Sequence, residues 1–139
     1  MQVREAMHAE AEWIRPDAPV TDVARIMRDL DIGAVPVCEE DRLIGIITDR
    51  DITCRAVAAD VDLSQLMARD VMTKEVIYCR DTEDLQDAIH LMEDKRIRRA
   101  PVINDEKKIV GMLSIGDISH AASQAISGEI IKAVSDHHA

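Results

Sequence analysis

Phenylalanine is absent from the 139 residues of this chain, and Trp13 and Tyr78 are the only aromatic side chains in it. A core must therefore be built from Ile, Val, Leu, Ala and seven Met. Base stacking on several aromatic platforms, as single-strand nucleic-acid binders use, is excluded on numbers. Positive charge is also short: 17 Lys and Arg against 27 Asp and Glu give a net charge of −10. A duplex-binding face needs cations to neutralise phosphates, so no nucleic-acid partner is expected, although local pockets can still be basic. No apolar run approaches the ~18 residues of a membrane span, and Met1 to Ala6 lack a signal peptide's apolar stretch. A cytoplasmic protein without a membrane partner is the expectation. Cys38, Cys54 and Cys79 form no CxxC pair and leave one over if two join. They read as reduced thiols, small and buried.

Catalytic signatures are missing too. There is no G-x-S-x-G elbow, no P-loop and no H-E-x-x-H,. Asp49 and Asp51 flank Arg50, but neighbouring carboxylates at a helix start are no acid–base pair without a buried partner. His8, His90 and His120 are scattered, and the terminal His137 and His138 are at best a weak zinc pair. The expectation is a protein that is not an enzyme and holds no metal.

Against these absences stands an internal repeat. At an offset of 65, Arg4, Met7, Arg15, Asp22, Met27, Asp29, Ile32, Pro36 and Val37 meet identical residues in the second half. One extra residue before Ile109 shifts the offset to 66, where Gly45, Asp51, Ile52 and Ala56 meet Gly111, Asp117, Ile118 and Ala122, and Thr48 meets Ser114. Such regularity indicates duplication. A unit this small buries too little surface to stand alone comfortably, so the copies should pack as one body about a pseudo-twofold axis. Repeat 1 is expected over residues 1–60, a linker over 61–67, repeat 2 over 68–125 and a helical tail over 126–139. Each repeat reads strand, helix, strand, strand, helix, an α/β class. Val20, Val23, Ala24, Met27 and Leu30 recur at helical spacing, as do Leu85, Ala88, Ile89 and Met92. Asp17 or Thr21 and Asp81 or Thr82 are the expected caps. Short extended segments are expected near Trp13-Ile14 and Val76-Ile77-Tyr78, and two hairpins follow the first helices.

Four segments carry a resemblance: Arg-Asp-Val-Met-Thr (69–73), Asp-Ile-Gly-Ala-Val-Pro-Val (31–37), Leu-Ile-Gly-Ile-Ile-Thr-Asp-Arg-Asp-Ile (43–52) and Arg-Arg-Ala-Pro-Val (98–102). In these motifs, and over nearly its whole length, the chain resembles tandem CBS (cystathionine β-synthase) domains, and small stand-alone bacterial pairs in particular. The resemblance implies a regulatory or sensor module that takes AMP, ADP, ATP, NAD or S-adenosylmethionine in the clefts between repeats. No cofactor is required beyond such a regulatory ligand. It also implies a homodimer, formed through helix faces carrying Ile52, Val57 and Ile118, and a protein partner of unknown identity. An interaction module whose clefts stay empty is the alternative.

Thr48-x-x-Asp51 is the informative element. A helix start offers unpaired N–H groups to a phosphate, Thr48 adds a hydroxyl, and the Asp51 carboxylate is placed to accept ribose hydroxyls. Arg50 supplies a cation. Ser114-x-x-Asp117 repeats hydroxyl and carboxylate, but Ile115-Gly116 replaces Asp49-Arg50. Arg98 and Arg99, standing where repeat 1 has Gly33 and Ala34, are candidates for the missing cation. The resemblance adds Ala34, Val35, Pro36, Ala100 and Pro101 as cleft residues. Plain helix caps and a solvated arginine pair remain open as the rival reading of the same residues.

Overall fold

The computed structural model describes residues 1–125, so the tail expected over 126–139 lies outside them. Its elements are α1 (Val3–Ala6), β1 (His8–Ala9), α2 (Val20–Leu30), β2 (Ala34–Glu39) and β3 (Arg42–Thr48). Helix α3 opens as one α-turn, Asp49–Asp51, and continues with π-helical winding over Ile52–Val57. A short 3₁₀ turn (Leu63–Gln65) precedes α4 (Ala68–Val71). There follow β4 (Cys79–Arg80), α5 (Leu85–Lys95), β5 (Arg99–Ile103), β6 (Ile109–Ser114) and α6, helical over residues 115–125. The fold is mixed α/β. Each half opens with a helical turn the sequence did not suggest, α1 or α4, and then follows the expected order. The leading strand of the first half is reduced to a single bridge at Ile14. In the second half the leading strand lies at Cys79–Arg80, just past the segment expected at Val76–Tyr78. Cys79 is the repeat mate of Ile14, which bridges Val37 in the first half.

The hairpins follow from their turns. Glu40 and Asp41 both have positive φ (52° and 66°), which suits a two-residue turn between right-twisted strands,. The longer turn after β5 is tied by Asn104, whose Oδ1 accepts from the N–H groups of Glu106 and Lys108. This accommodates the extra residue that changes the repeat offset. Helices α2 and α5 bury Val20, Val23 and Met27, and Leu85, Ala88 and Met92. Both stop on a left-handed residue, Asp31 and Arg96.

The expected helix caps do not form. Pro19 and Asp84 hold the N-cap positions with no side-chain hydrogen bond. The helix starts are instead satisfied from elsewhere in the chain. Val20 N–H donates to the Leu66 carbonyl at 3.0 Å, and Leu85 N–H to the Met1 carbonyl at 2.8 Å.

Those two bonds belong to an exchange between the halves. Segment 1–9 packs on repeat 2: Val3 sits in the core with Cys79, Leu85, Val102 and Leu113, and β1 pairs with β6. Segment 67–73 packs on repeat 1: Ala68 and Val71 sit in the core with Val23, Val35 and Ile47, and Thr73 bridges Ile46. Each repeat thus lends its opening turn to the other. Gly45 and Gly111 make room for the crossing: a Cβ on Gly45 would lie 2.5 Å from Met72 Sδ, and one on Gly111 2.5 Å from the His8 carbonyl.

Candidate functional site

The crossing puts the end of β3 and the end of β6 on either side of the repeat interface, each beside a cleft. At the end of β3, Thr48 is extended and begins α3 with a reciprocal cap. Thr48 Oγ1 accepts from Asp51 N–H at 3.1 Å, and Asp51 Oδ2 accepts from Thr48 N–H at 2.9 Å. At the end of β6, Ser114 Oγ accepts from Asp117 N–H at 3.1 Å and Asp117 Oδ2 from Ser114 N–H at 3.0 Å. The caps therefore use the same side chains that the sequence singled out for a ligand. Capping fixes each carboxylate through Oδ2 and leaves Oδ1 outside the cap. Asp51 is 14% exposed, with Arg55 Nε 4.0 Å from its Oδ1. Asp117 Oδ1 lies 3.8 Å from His8 Nδ1.

The Thr48 cleft has a volume of about 730 Å³ and the Ser114 cleft about 500 Å³. Both are large enough for a small organic ligand. The first brings together Thr48, Arg50, Asp51, Ala34, Arg98 and Arg99. The second brings together Ser114, Asp117, Ala34 and Arg99. Val35, Pro36, Ala100 and Pro101 line neither. They are buried within β2 and β5, because side chains on both faces of these strands are covered. Only the first residue of each strand, Ala34 or Arg99, emerges at the clefts.

Charge separates the two sites. Arg50, Arg96, Arg98 and Arg99 face the Thr48 cleft beside Asp49, Asp51 and Glu75. The Ser114 cleft has Arg99 and His8 beside Glu10, Glu12, Asp31 and Asp117. The sequence reading missed Arg96 and Asp31, the left-handed ends of α5 and α2. They are repeat mates, so the offset of 65 was the signal that pairs them. It also missed Glu10, Glu12 and Glu75, on the stretches that follow the exchanged turns. Among the described residues no three His, Cys, Asp or Glu side chains converge on a metal position, and no helix is long and apolar enough to cross a membrane.

Arg99 occupies a singular place. Its backbone pairs with Ser114 across the hairpin, as Ala34 pairs with Thr48. Its guanidinium lies beside Gly33. Nη1 lies 2.5 Å from the point a Cβ on Gly33 would take, and Asp49 Oδ2 lies 3.2 Å from the same point.

A family model described as the CBS domain matches residues 3–56 and again 68–124. Hypoxic response protein 1 of Mycobacterium tuberculosis is 32% identical over 132 residues, 94% of this chain and 92% of that protein. A crystal structure of Hypoxic Response Protein I with two coordinated zinc ions superposes with a TM-score of 0.79 at 32% identity, covering 86% of this chain and 98% of the other. CBSX2 in complex with AMP shares the fold, with a TM-score of 0.79 at 23% identity over 89% of this chain and 97% of its own. So does the CBS domain pair of protein MJ0100 in complex with 5′-methylthioadenosine and S-adenosyl-L-methionine, with a TM-score of 0.78 at 24% identity over 90% and 98%.

Proposed function

The chain belongs to the CBS domain family, and on that premise we propose that it is a regulatory module, not an enzyme, which binds adenosine-containing ligands in the clefts between its repeats. AMP, ADP, ATP, NAD and S-adenosylmethionine are the ligand classes, and the module works as a cytoplasmic homodimer. Binding changes the placement of the repeats and hence the surface offered to a protein partner. One observation carries this reading. A cap-fixed carboxylate, Asp51, and the Thr48 hydroxyl share a cleft with four guanidinium groups. That is the division a nucleotide requires: acceptors for ribose hydroxyls and cations for phosphates. The adenosine compounds held by CBSX2 and by the MJ0100 pair are precedents on the same fold.

A thermal-shift panel of AMP, ADP, ATP, NAD and S-adenosylmethionine tests the reading. A ligand at a hundred times its Kd should stabilise the protein by ~2.7 kcal/mol. A flat response across the panel would favour the alternative, an interaction module with empty clefts. Phosphorylated ligands should prefer the Thr48 cleft. Arg50→Ala should then narrow the preference for ADP or ATP over adenosine there without abolishing it, since a charge-assisted contact contributes roughly 1.5–3 kcal/mol and Arg96, Arg98 and Arg99 remain,.

A further inference from the structure

We propose that Arg99 is a single cation shared by both clefts, so that a phosphorylated ligand in the Thr48 cleft withdraws the one guanidinium available to the Ser114 cleft. The inference rests on the adenosine reading above and adds a negative coupling between the sites.

Three observations carry it. First, Ala34 and Arg99 are repeat mates, and they are the two residues that line both clefts. A symmetric pair would place one arginine for each cleft at this position; this chain has one arginine for two clefts. Second, the side chain spans the interface. Its backbone is paired with Ser114, whereas its guanidinium lies over Gly33 near Asp49, on the Thr48 side. Third, among the described residues Arg99 makes no ion pair, so no described carboxylate anchors it on either side.

The electrostatics make the sharing consequential. Without Arg99 the Thr48 cleft still has Arg50, Arg96 and Arg98. Among the described residues, the Ser114 cleft is left with His8 against four carboxylates. A nucleoside without phosphates makes no claim on Arg99 and fills both clefts independently. A nucleoside diphosphate in the Thr48 cleft leaves the other cleft selective for uncharged or cationic adenosine compounds. Because binding free energies are reciprocal, a diphosphate in the Ser114 cleft weakens the first site by the same factor.

Titration calorimetry with ADP and with adenosine tests this on the full chain, with Asp51→Asn and Asp117→Asn assigning each step to its cleft. Wild type should bind ADP in two steps separated by ten- to a hundredfold, and adenosine with a smaller separation. Arg99→Ala should weaken the tight step several-fold and leave the weak one unchanged, because the weak step already proceeds without Arg99. Gly33→Ala is the decisive variant. Its methyl takes the place of the Arg99 head group and also meets Asp49 Oδ2 at 3.2 Å; both are ends of exposed side chains, so the fold is kept. It should weaken ADP in the Thr48 cleft and tighten ADP in the Ser114 cleft. If Gly33→Ala leaves the Ser114 affinity for ADP unchanged, or Arg99→Ala weakens the weak step, Arg99 belongs to one cleft and the sharing is refuted. If neither ADP nor adenosine gives heat with wild type, the sharing is refuted, and a flat thermal-shift panel beside it overturns the adenosine reading as well.

Discussion

Asp51 closes a helix with one carboxylate oxygen and leaves the other outside the cap, beside the cleft proposed to take a ligand. Its cap bond to Thr48 N–H is part of the fold, so Asp51→Ala removes two things at once, and loss of a cap costs about 0.5–2 kcal/mol of stability. Asp51→Asn separates them: the amide oxygen keeps the cap while the charge goes. The asparagine variant should keep the wild-type unfolding midpoint and lose adenine-ligand affinity by roughly 1.5–3 kcal/mol, read by calorimetry. Equal affinity in the two proteins would return Asp51 to a purely capping role. At this scale the pairing of Thr48 with Asp51 and of Ser114 with Asp117 was legible, because a hydroxyl and a carboxylate three residues apart at a helix start close a reciprocal cap, as both pairs do,. The reach of Arg99 toward Gly33 was not, since a side chain's direction depends on what lies across the interface. The thiols supply a pH test. Burial, helped by Asp41, pushes Cys38 up from 9.0 to about 12, and burial, helped by Glu83, pushes Cys79 up to about 11. Above pH 9 the unfolded chain releases these protons while the folded chain keeps them, so stability must fall as pH rises from 9 toward 11–12,. Cys38→Ala should flatten that fall by at most about 1.4 kcal/mol per pH unit in denaturant titrations. An unchanged slope would place the Cys38 thiol in water.

The exchanged segments govern the next scale. The repeat was plain in the sequence, and so were both hairpins and both long helices. The exchange was not, because a turn packed on its own repeat and one packed on its neighbour leave the same periodic pattern. The failed caps have the same cause. Asp17, Thr21, Asp81 and Thr82 were reasonable caps for isolated helices, but the Leu85 N–H bonds to the Met1 carbonyl of an exchanged segment and the Val20 N–H to the Leu66 carbonyl just before the other. The π winding of α3 was equally hidden. There Thr53 Oγ1 donates to the Asp49 carbonyl, and Arg55 Nη1 donates to the Val71 and Met72 carbonyls, tying the helix to the exchanged α4. Gly111 and Gly45 allow a direct test of the crossing. A methyl on Gly111 meets the backbone carbonyl of His8, whereas one on Gly45 meets first the flexible sulfur of Met72. Gly111→Ala should therefore cost about 1–3 kcal/mol, the usual range for overpacking, and more than Gly45→Ala. Urea unfolding of both variants decides the order; equal midpoints would mean the β1 crossing yields as easily as a side chain.

For the whole molecule the open surface matters most. The homodimer expected from the sequence used Ile52, Val57 and Ile118. The structure turns Ile52 and Ile118 partly inward, each against its own core. Val57 and Ile115 are the large apolar side chains that α3 and α6 leave in the open, at 60% and 52% exposure. They lie on the helices that begin at Thr48 and Ser114, so a dimer built through them would couple directly to both clefts. Net charge works against such pairing. Each chain carries −10, so association brings two strongly acidic bodies together and is opposed at low ionic strength, where screening is weakest. Light scattering at micromolar concentration should report about twice the chain mass, with the dimer tightening as salt is raised. Val57→Glu with Ile115→Glu should give a folded monomer, because both positions face solvent in the single chain and neither supports its core. A wild-type monomer at every salt concentration would exclude the dimer. A dimer that survives the double substitution would move the interface to another face of the molecule.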